Sequence, residues 1–341
     1  MAFKITLQPS GHGFDAPADA PILQAALDAG FNLPYGCRNG ACGACKGKVV
    51  SGRVDYGAAQ DHALSPTERA EGVALFCCAT PLSDLVLEVR EVGAIKDIPA
   101  KTMPCRVQHM EKLADDVMLL TLKLPTNERL QFLAGQYIEF LLKDGKRRAF
   151  SLANAPHDDE LLQLHVRLIP GGTFTDHVFH VMHEKEILRF EGPHGSFFLR
   201  EDSDKPIILL AGGTGFAPIK GIIEHAIHNK ITRPMTLYWG ARNRTGLYLP
   251  DLPAQWAAAH SHIRYIPVLS DPTFDDAWSG RTGLAHAAVL ADFPDLSGHQ
   301  AYACGAPAMI EAARRDFAVH GLPDGEFHAD IFSFAPPSSK S

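Results

Sequence analysis

The 341-residue chain lacks several features that define whole classes of protein. No apolar run approaches the roughly 18–20 residues that a membrane-spanning helix needs, and the most apolar stretch, Ile207 to Ala211, has the length of a strand. The first residues, Met1 to Lys4, lack the charged and then apolar pattern of a secretory signal. We therefore expect a cytoplasmic protein without a membrane partner.

An excess of basic charge is also absent. The 32 Lys and Arg residues are outnumbered by 39 Asp and Glu residues, which gives a net charge of −7. A nucleic-acid-binding protein needs a clustered positive field, so we expect no nucleic-acid partner. The content of 46% hydrophobic and 21% charged residues is ordinary for a globular chain, and the length suffices for about two or three domains.

Three segments differ in composition and in predicted secondary structure, and together they predict a multidomain protein of α+β and α/β class. Residues 1–93 hold most of the cysteines, residues 103–201 contain spaced strands typical of an antiparallel β-barrel, and residues 202–335 alternate strands with helices around a parallel sheet. Residues 94–102 are the predicted first linker. The predicted strands are Val117–Leu124, Gln136–Leu142, Leu161–Leu168, Ile187–Phe190, Ile207–Ala211 and Met235–Trp239, and the predicted helices are Pro218–Asn229 and Pro307–His320.

Two local signals predict helices in the first segment. Pro21 precedes the apolar run from Ile22 to Leu27, and Gly30 follows it, which is typical of a short helix. Ser65 and Glu68 have the spacing of a capping box, so a second helix is expected to begin there.

The seven cysteines include a set with an informative spacing. Four residues separate Cys37 from Cys42, two separate Cys42 from Cys45, and 31 separate Cys45 from Cys77. This spacing is typical of a plant-type [2Fe–2S] site. A zinc site or incidental cysteines are the alternatives, although zinc sites normally add a second cysteine pair or histidines. Because Cys78 adjoins Cys77, the spacing leaves the fourth ligand open between them.

The segment Leu33 to Cys45 resembles the cluster loop of plant-type ferredoxins nearly residue for residue. The resemblance implies a β-grasp fold for residues 1–93, with Cys37, Cys42, Cys45 and Cys77 as iron ligands. Four glycines interleave the loop, and we expect them to let backbone N–H groups point at the sulfurs; they are Gly36, Gly40, Gly43 and Gly47.

The segment Arg148 to Ser151, followed by Asn154, resembles the flavin signature of the ferredoxin–NADP reductase superfamily. Taken alone, this motif also fits a surface arginine before a strand. A second segment, Gly171 to Thr175, resembles the turn and helix start that bind the flavin pyrophosphate. The resemblance implies FAD rather than FMN, because FMN relatives place the ferredoxin at the other end of the chain. It assigns FAD binding to Arg148, Phe150, Ser151, Val166, Arg167, Gly172, Thr173, Thr175 and Phe332.

The segment Ile207 to Pro218 is an apolar strand, a Gly-Gly-Thr-Gly turn and the start of a helix. A glycine turn alone is nonspecific, but between a strand and a helix it suits a dinucleotide phosphate. In this order of motifs it resembles the NAD(P)H-binding turn of the same superfamily. Arg242 and Arg244 follow the next strand and are candidates for binding a 2′-phosphate, but we favour NADH over NADPH. The implied nucleotide-binding residues are Gly213, Thr214, Gly215 and Pro218.

Two segments near the end of the chain resemble those that position nicotinamide against flavin. They contribute Cys304, Gly305 and Pro307 to the nucleotide site, and Asp330 and Phe332 to the closure over the flavin. With Ser151, the resemblance makes Cys304 and Asp330 candidate catalytic residues. From the residues alone, a buried core cysteine and a solvated aspartate are the alternatives.

The complete order of ferredoxin, flavin barrel and nucleotide domain resembles reductase components of bacterial oxygenases and, more closely, CDP-6-deoxy-delta-3,4-glucoseen reductase-like proteins. It implies a reductase that passes electrons from NADH through FAD and a [2Fe–2S] cluster to a partner protein. The partner would be a sugar-nucleotide dehydratase carrying a pyridoxamine adduct or the terminal component of an oxygenase. A non-catalytic, metal-stabilised partner-binding module is the alternative from another class, and we expect a monomer.

Overall fold

The structure is a computed structural model that describes residues 1–92, 98–323 and 325–332. Contacts within the chain divide it into two compact units, one from Met1 to Pro99 and a second beginning at Ala100. The predicted linker, 94–102, lies partly outside the described residues, as do the last residues, 333–335, of the predicted third domain. Lys101 and Thr102 belong to a strand rather than to the linker.

The first unit is a mixed sheet with one helix packed on it. The sheet has the order β2-β1-β7-β3-β5, in which β1 and β7 are parallel and the other neighbours antiparallel, while β4 and β6 form a separate pair. This is the β-grasp arrangement that was predicted. The elements are β1 (Ala2–Gln8), β2 (Gly13–Pro17), α1 (Ile22–Asp28), β3 (Lys46–Ser51), β4 (Val54–Asp55), α2 (Pro66–Ala70), β5 (Val73–Leu75), β6 (Thr80–Pro81) and β7 (Leu85–Glu88).

Both predicted helices of the first unit are confirmed. Helix α1 begins directly after Pro21 and buries the side chains of Ile22 and Leu23. Helix α2 carries the full capping box, because the Glu68 amide donates to the Ser65 hydroxyl and the Ser65 amide donates to the Glu68 carboxylate. The cap fixes the start of α2, which lies just before β5 in the chain.

The second unit begins with an antiparallel barrel of order β11-β10-β13-β8-β9-β12. Its edge strands meet where Leu152 pairs with Leu164 and the Ala153 amide donates to the Gln163 carbonyl, which closes the sheet. Large apolar side chains such as Phe140 fill the interior. The elements are β8 (Lys101–Ala114), β9 (Val117–Lys123), β10 (Tyr137–Leu141), β11 (Arg147–Ser151), β12 (Leu161–Arg167), α3 (Thr173–His180) and β13 (Ile187–His194).

A parallel sheet of order β17-β16-β15-β14-β18-β19 completes the second unit. Helix α4 packs on β14 and β18 and α5 on β16, whereas α6 packs on β15 and on α7. Because helices cover both faces, the strand Ile207–Gly212 is apolar and buried along its length. The elements are β14 (Ile207–Gly212), α4 (Phe216–His228), β15 (Met235–Ala241), α5 (Asp251–Ala259), β16 (Ile263–Leu269), β17 (Arg281–Thr282), α6 (Ala285–Asp292), β18 (Gln300–Gly305), α7 (Pro307–Val319) and β19 (Phe327–Ile331).

The strand order determines where a ligand can bind. Strand β14 lies between β15 and β18, so the order of the chain reverses at this point. In open parallel sheets, the crevice at such a reversal lies at the carboxyl ends of the strands. Here those ends carry the Gly213–Gly215 turn and Cys304. Within the ranges that the structure describes, no helix combines the length and apolar character needed to cross a bilayer.

Candidate functional site

The loop after α1 surrounds cysteine sulfurs with backbone donors. The Cys37 and Ala44 amides lie 3.3 and 3.5 Å from Cys42 Sγ. The Cys42 thiol, and then the amides of Asn39, Ala41 and Cys42, lower the pKa of Cys37 to about 6 against the opposing effect of burial. Iron binds the thiolate form, so this backbone arrangement fits a cluster held by cysteines.

Two of the four glycines shape this loop as expected. Gly40 and Gly43 have φ of +77° and +71°, a region that favours glycine. Gly47 has a different role, because a Cβ there would lie 2.3 Å from the Phe76 ring. It therefore admits Phe76 into the core of the first unit rather than turning the loop.

Cys77 and Cys78 have different surroundings. The Cys77 amide lies 3.5 Å from Cys45 Sγ, and the Cys45 thiol raises the pKa of Cys77 to about 12. Cys78 Sγ lies 3.7 Å from Cys77 Sγ, and Cys77 is the main cause of the raised pKa of Cys78. Cys77 thus adjoins another predicted ligand, Cys45, whereas the sulfur contact of Cys78 is with Cys77. This arrangement favours Cys77 as the fourth ligand, which remains our prediction.

Phenylalanines form one wall of the predicted flavin site. The Phe150 ring lies 5.2 Å from the Phe174 ring and 5.9 Å from the Phe140 ring, measured between centroids. Phe150 is only half-buried, so part of its ring remains accessible to a ligand. Arg148 precedes it on β11, is also half-buried, and donates to the Arg147 carbonyl. Val166, by contrast, is fully buried in the barrel core, so its side chain packs the barrel.

The turn before α3 leaves the start of this helix open. Thr173 is the first helical residue, and Gly172 provides no side-chain cap. The Thr175 hydroxyl instead donates to the Ile169 and Gly172 carbonyls at 3.1 and 3.3 Å, which holds the turn. An uncapped helix start with glycine before it presents amide donors to an anion, as a pyrophosphate site requires.

Arg167 brings unsatisfied donors to the nucleotide turn. Its Nη1 donates to Asp116 Oδ2 at 2.9 Å. Its Nε and Nη2 are buried and have no hydrogen-bond partner among the described residues. A Cβ on Gly213 would lie 3.6 Å from this Nη2. Buried cationic donors normally have an acceptor, so the two unpaired donors make Arg167 a candidate for binding a phosphate group beside the turn.

The nucleotide turn is built from close backbone approaches. Gly213 has φ of +53°, and the turn passes directly into α4 without a side-chain cap. A Cβ on Gly215 would lie 2.0 Å from the Cys304 carbonyl oxygen, so only glycine fits there. Thr214 and Pro218 are both buried. The turn therefore presents backbone to its ligand, as a phosphate-binding turn does.

Ser151, Cys304 and Asp330 meet where the barrel contacts the parallel sheet. Ser151 Oγ donates to Asp330 Oδ2 at 3.3 Å, and Cys304 Sγ lies 4.0 Å from the same oxygen. Asp330 is 8% exposed, so the solvated-aspartate alternative is wrong. Burial, and then Asp330, raise the pKa of Cys304 well above its ordinary value, so Cys304 is a neutral thiol at pH 7.

The remaining predicted residues flank this meeting point. Gly305 has φ of +151°, which L side chains rarely adopt. Its carbonyl accepts a hydrogen bond from the Phe332 amide at 2.9 Å, which places Phe332 beside the end of β18. Pro307 opens α7 directly after them. Asn154 has a structural role, since its side chain bonds the Gln163 amide and the Asp158 carbonyl.

The two candidate 2′-phosphate arginines lie at the end of β15. Both Arg242 and Arg244 are exposed. The Arg244 amide donates to Asp276 Oδ1 at 2.8 Å, and its guanidinium donates to the Asp276 carbonyl at 3.3 Å. Because Arg244 is engaged in this loop contact, Arg242 is the better candidate, and the preference for NADH stays a prediction.

Three buried polar residues escaped the sequence analysis. His165 shares a hydrogen bond with the Tyr248 hydroxyl, and Lys220 Nζ donates to the Ala153 carbonyl and the Glu224 carboxylate. The one signal that marks Lys220 in the sequence is its charge within the otherwise apolar start of α4. His165 lies in a strand of apolar residues and carries no comparable signal.

Three features point to the same class of protein: the cysteine loop after α1, the uncapped starts of α3 and α4, and the contact between Ser151, Cys304 and Asp330. Together they fit an iron–sulfur flavoprotein that binds a dinucleotide. The sequence matches three families in the same order along the chain. They are the 2Fe-2S iron-sulfur cluster binding domain over residues 5–82, the oxidoreductase FAD-binding domain over residues 104–199, and the oxidoreductase NAD-binding domain over residues 209–315.

Relatives match the chain from end to end. The CDP-6-deoxy-L-threo-D-glycero-4-hexulose-3-dehydrase reductase of Yersinia pestis is 42% identical and aligns over 97% of this chain and 99% of its own. Terephthalate 1,2-dioxygenase, reductase component 1, of Comamonas sp. is 35% identical over 99% and 100%. The crystal structure of the Amycolatopsis cytochrome P450 reductase GcoB superposes with a TM-score of 0.78, at 35% identity and over 97% and 98% of the two chains.

The chain therefore belongs to the ferredoxin–NADP reductase superfamily, among the reductases with an N-terminal 2Fe–2S domain. It is an NAD(P)H-dependent electron-transfer reductase with FAD and a [2Fe–2S] cluster. These findings contradict the alternative of a non-catalytic module and that of a zinc site.

Proposed function

We propose that this reductase draws electrons from NADH and delivers them singly to a dehydratase that acts on a sugar nucleotide. The observation that carries this proposal is the 42% identity, over nearly the full length of both chains, to a Yersinia reductase named for a hexulose-3-dehydrase. A terminal oxygenase component is the second candidate acceptor, because a terephthalate dioxygenase reductase is 35% identical over the full chain. The protein acts as a monomer that docks its partner transiently.

We also propose that the NADH phosphates bind between the Gly213–Gly215 turn and the Arg167 guanidinium, so that Arg167 serves the nucleotide rather than FAD, to which the resemblance assigned it. The turn offers backbone amides and the start of α4, and Arg167 offers two buried donors beside Gly213. Together they neutralise a pyrophosphate that neither element would hold alone. FAD is bound by the other open helix start, at Gly172 and Thr173, and by Arg148 and Phe150 on β11.

FAD held by Arg148, Phe150 and the Gly172–Thr175 turn would supply the conversion of a two-electron hydride into single electrons, which a one-electron cluster needs. Asp330 orients the Ser151 hydroxyl and lies against the Cys304 thiol, so both groups have one fixed placement. The raised pKa of Cys304 keeps its sulfur neutral at pH 7. A thiolate at this place would repel an arriving hydride, so the neutral thiol suits the reaction.

Cys37, Cys42, Cys45 and Cys77 are the proposed cluster ligands. The amides around Cys42 Sγ and Cys45 Sγ would stabilise the added negative charge of a reduced cluster. A cluster held by these four cysteines would supply one-electron transfer from the flavin to the partner.

Anaerobic mixing of the purified holoenzyme with NADH tests the electron path. We expect the flavin absorbance to bleach first and the iron–sulfur absorbance second. Partner reduction is then measured with a purified sugar-nucleotide dehydratase and its substrate, and separately with a terminal oxygenase component. NADH consumption coupled to product formation in the first assay alone supports the proposed acceptor. Coupling in the oxygenase assay alone contradicts it and favours the second candidate.

A Cys77→Ser protein that retains FAD is the matched control for electron transfer from the cluster to the partner. It should still bleach its flavin with NADH but should not support product formation by the partner. Full product formation without an iron–sulfur signal would show that electrons leave from the flavin directly.

A further inference from the structure

A buried hydrogen bond joins the barrel to the nucleotide domain close to the Gly213–Gly215 turn. His165 Nδ1, on β12, lies 2.9 Å from the Tyr248 hydroxyl, which belongs to the segment between β15 and α5. Each of the two residues is 6% exposed. Their rings meet edge to face at a centroid distance of 5.3 Å. The contact is therefore fixed both by the polar atoms and by the ring packing.

Tyr248 belongs to an aromatic group that supports the nucleotide turn. Its ring packs edge-on against Trp239, with 5.1 Å between centroids and 84° between planes. Trp239 Nε1 donates to the Gly213 carbonyl at 3.0 Å, and Phe216 stacks on Trp239 at 3.9 Å. A continuous path of direct contacts thus runs from His165 through Tyr248 and Trp239 to Gly213.

Strand β12 also reaches the Gly213–Gly215 turn through a second residue. Two residues after His165, the Arg167 guanidinium reaches the place beside Gly213. The strand that leads into the proposed flavin pyrophosphate turn is therefore connected to the nucleotide turn directly by Arg167, and through Tyr248 and Trp239 by His165. The spacing of the two phosphate-binding turns depends on how β12 is held against this aromatic group.

A buried hydrogen-bonded pair restrains the relative position of two elements more than an apolar contact does. When a buried hydrogen bond is stretched, both partners lose their compensation for desolvation, whereas an apolar contact can slide at little cost. Burial, and then Lys220, lower the pKa of His165 to about 3, so the imidazole is neutral at pH 7. Burial raises the pKa of Tyr248, so its hydroxyl keeps its proton. The pair therefore persists unchanged through the neutral pH range.

We propose that His165 and Tyr248 are positioning residues that fix the nucleotide turn relative to the flavin-binding strand, and so set the approach of nicotinamide to flavin. The proposal rests on the proposed assignment of the Gly213–Gly215 turn to NADH. Both side chains are buried and bonded to each other, so their loss should alter the rate of hydride transfer more than the binding of either cofactor.

Stopped-flow mixing of Tyr248→Phe holoenzyme with NADH tests this role, since the substitution removes one hydroxyl and keeps the ring. We expect the limiting rate of flavin bleaching at saturating NADH to fall about tenfold, while the apparent Kd for NADH changes less than about twofold. The absorbance of the complex between NADH and flavin should change as well. FAD content should equal that of the wild type.

Three further variants separate positioning from general stability. His165→Asn places an amide where Nδ1 lies and should restore the limiting rate to within about twofold of wild type, whereas His165→Gln places its amide beyond that point and should not. Tyr265→Phe removes a buried hydroxyl that has no partner among the described residues, so it should leave the rate unchanged. These comparisons remain decisive even if Tyr248→Phe does not fold.

Equal limiting rates in wild type, Tyr248→Phe and His165→Gln would overturn the positioning role. Equal losses in His165→Asn and His165→Gln would overturn it too, because the hydrogen bond would then not be what matters. A wild-type holoenzyme whose flavin is not reduced by NADH would contradict the proposed function instead, so the two failures are distinguishable.

Discussion

Ser151 Oγ donates a hydrogen bond to Asp330 Oδ2 across 3.3 Å, although the two residues are 179 positions apart in the chain. Ser151 ends a strand of the antiparallel barrel, and Asp330 lies on the edge strand of the parallel sheet. The same carboxylate oxygen lies 4.0 Å from Cys304 Sγ. One carboxylate therefore connects the strand proposed to bind flavin with the strand that ends at the proposed nicotinamide site.

Replacement of Asp330 by Asn should slow hydride transfer without loss of cofactor. The amide has nearly the same size, but it removes the negative charge that fixes the Ser151 hydroxyl and lies against the Cys304 thiol. We expect the limiting rate of flavin reduction by NADH to fall about ten- to a hundredfold, with little change in KM. Stopped-flow absorbance measures both. Asp295→Asn, at an exposed position, is the control, and a wild-type rate in Asp330→Asn would remove the carboxylate from the mechanism.

The two adjacent cysteines should respond in opposite ways to substitution by serine. Cys77 adjoins Cys45, whereas Cys78 contacts Cys77. Because a cluster needs four ligands, Cys77→Ser should lose most of its iron and its visible iron–sulfur absorbance, and Cys78→Ser should keep both. Iron analysis and absorbance spectra of the two purified variants show which cysteine is the fourth ligand. The reverse outcome would assign the fourth ligand to Cys78.

The elements of this protein were accessible from the sequence because their signals are local. The spacing of Cys37, Cys42 and Cys45, the apolar run before Gly213, and the capping box at Ser65 each act over a few residues. All six strands and both helices predicted for the second unit are present, with ends that differ by only a few residues. The resemblance to a known family supplied the order and the roles of the three domains.

What escaped prediction depends on contacts between distant segments. The environment of Asp330 was left open, because its burial depends on Ser151 and Cys304 from two other strands. The buried pair of His165 and Tyr248 was missed for the same reason, since neither residue has a local pattern that marks it. Gly47 was assigned to the cluster loop, but its role depends on Phe76 across the sheet.

Arg167 and Arg148 should affect different cofactors. Arg167 presents beside Gly213 two donors that have no partner in the described part of the chain. Arg167→Met should therefore raise the apparent Kd for NADH about ten- to a hundredfold, the usual cost of losing a charged hydrogen bond. FAD content should remain that of the wild type. Arg148→Met, on the flavin strand, should instead lower the FAD retained after purification. A loss of FAD in Arg167→Met with unchanged NADH affinity would place Arg167 in the flavin site.

Burial of a neutral His165 should make the stability of the second unit depend on pH. The folded pKa is about 3, whereas an unfolded histidine titrates near 6.5. Below about pH 6.5 the unfolded chain binds a proton that the folded chain cannot, so the free energy of unfolding falls as pH decreases, by up to about 1.4 kcal/mol per pH unit. Above that pH both states are neutral and His165 adds no pH dependence.

Urea titrations between pH 7 and pH 4.5 measure this dependence, with tryptophan fluorescence as the probe, because all three tryptophans lie in the parallel-sheet part of the chain. Relative to the wild type, His165→Asn should lose stability less steeply as the pH falls, because it has no group to protonate at this position. Tyr265→Phe, which also removes a polar atom from the second unit but leaves His165 in place, should keep the wild-type slope. Parallel slopes in all three proteins would mean that His165 becomes protonated in the folded state as readily as in the unfolded state, which would contradict the prediction.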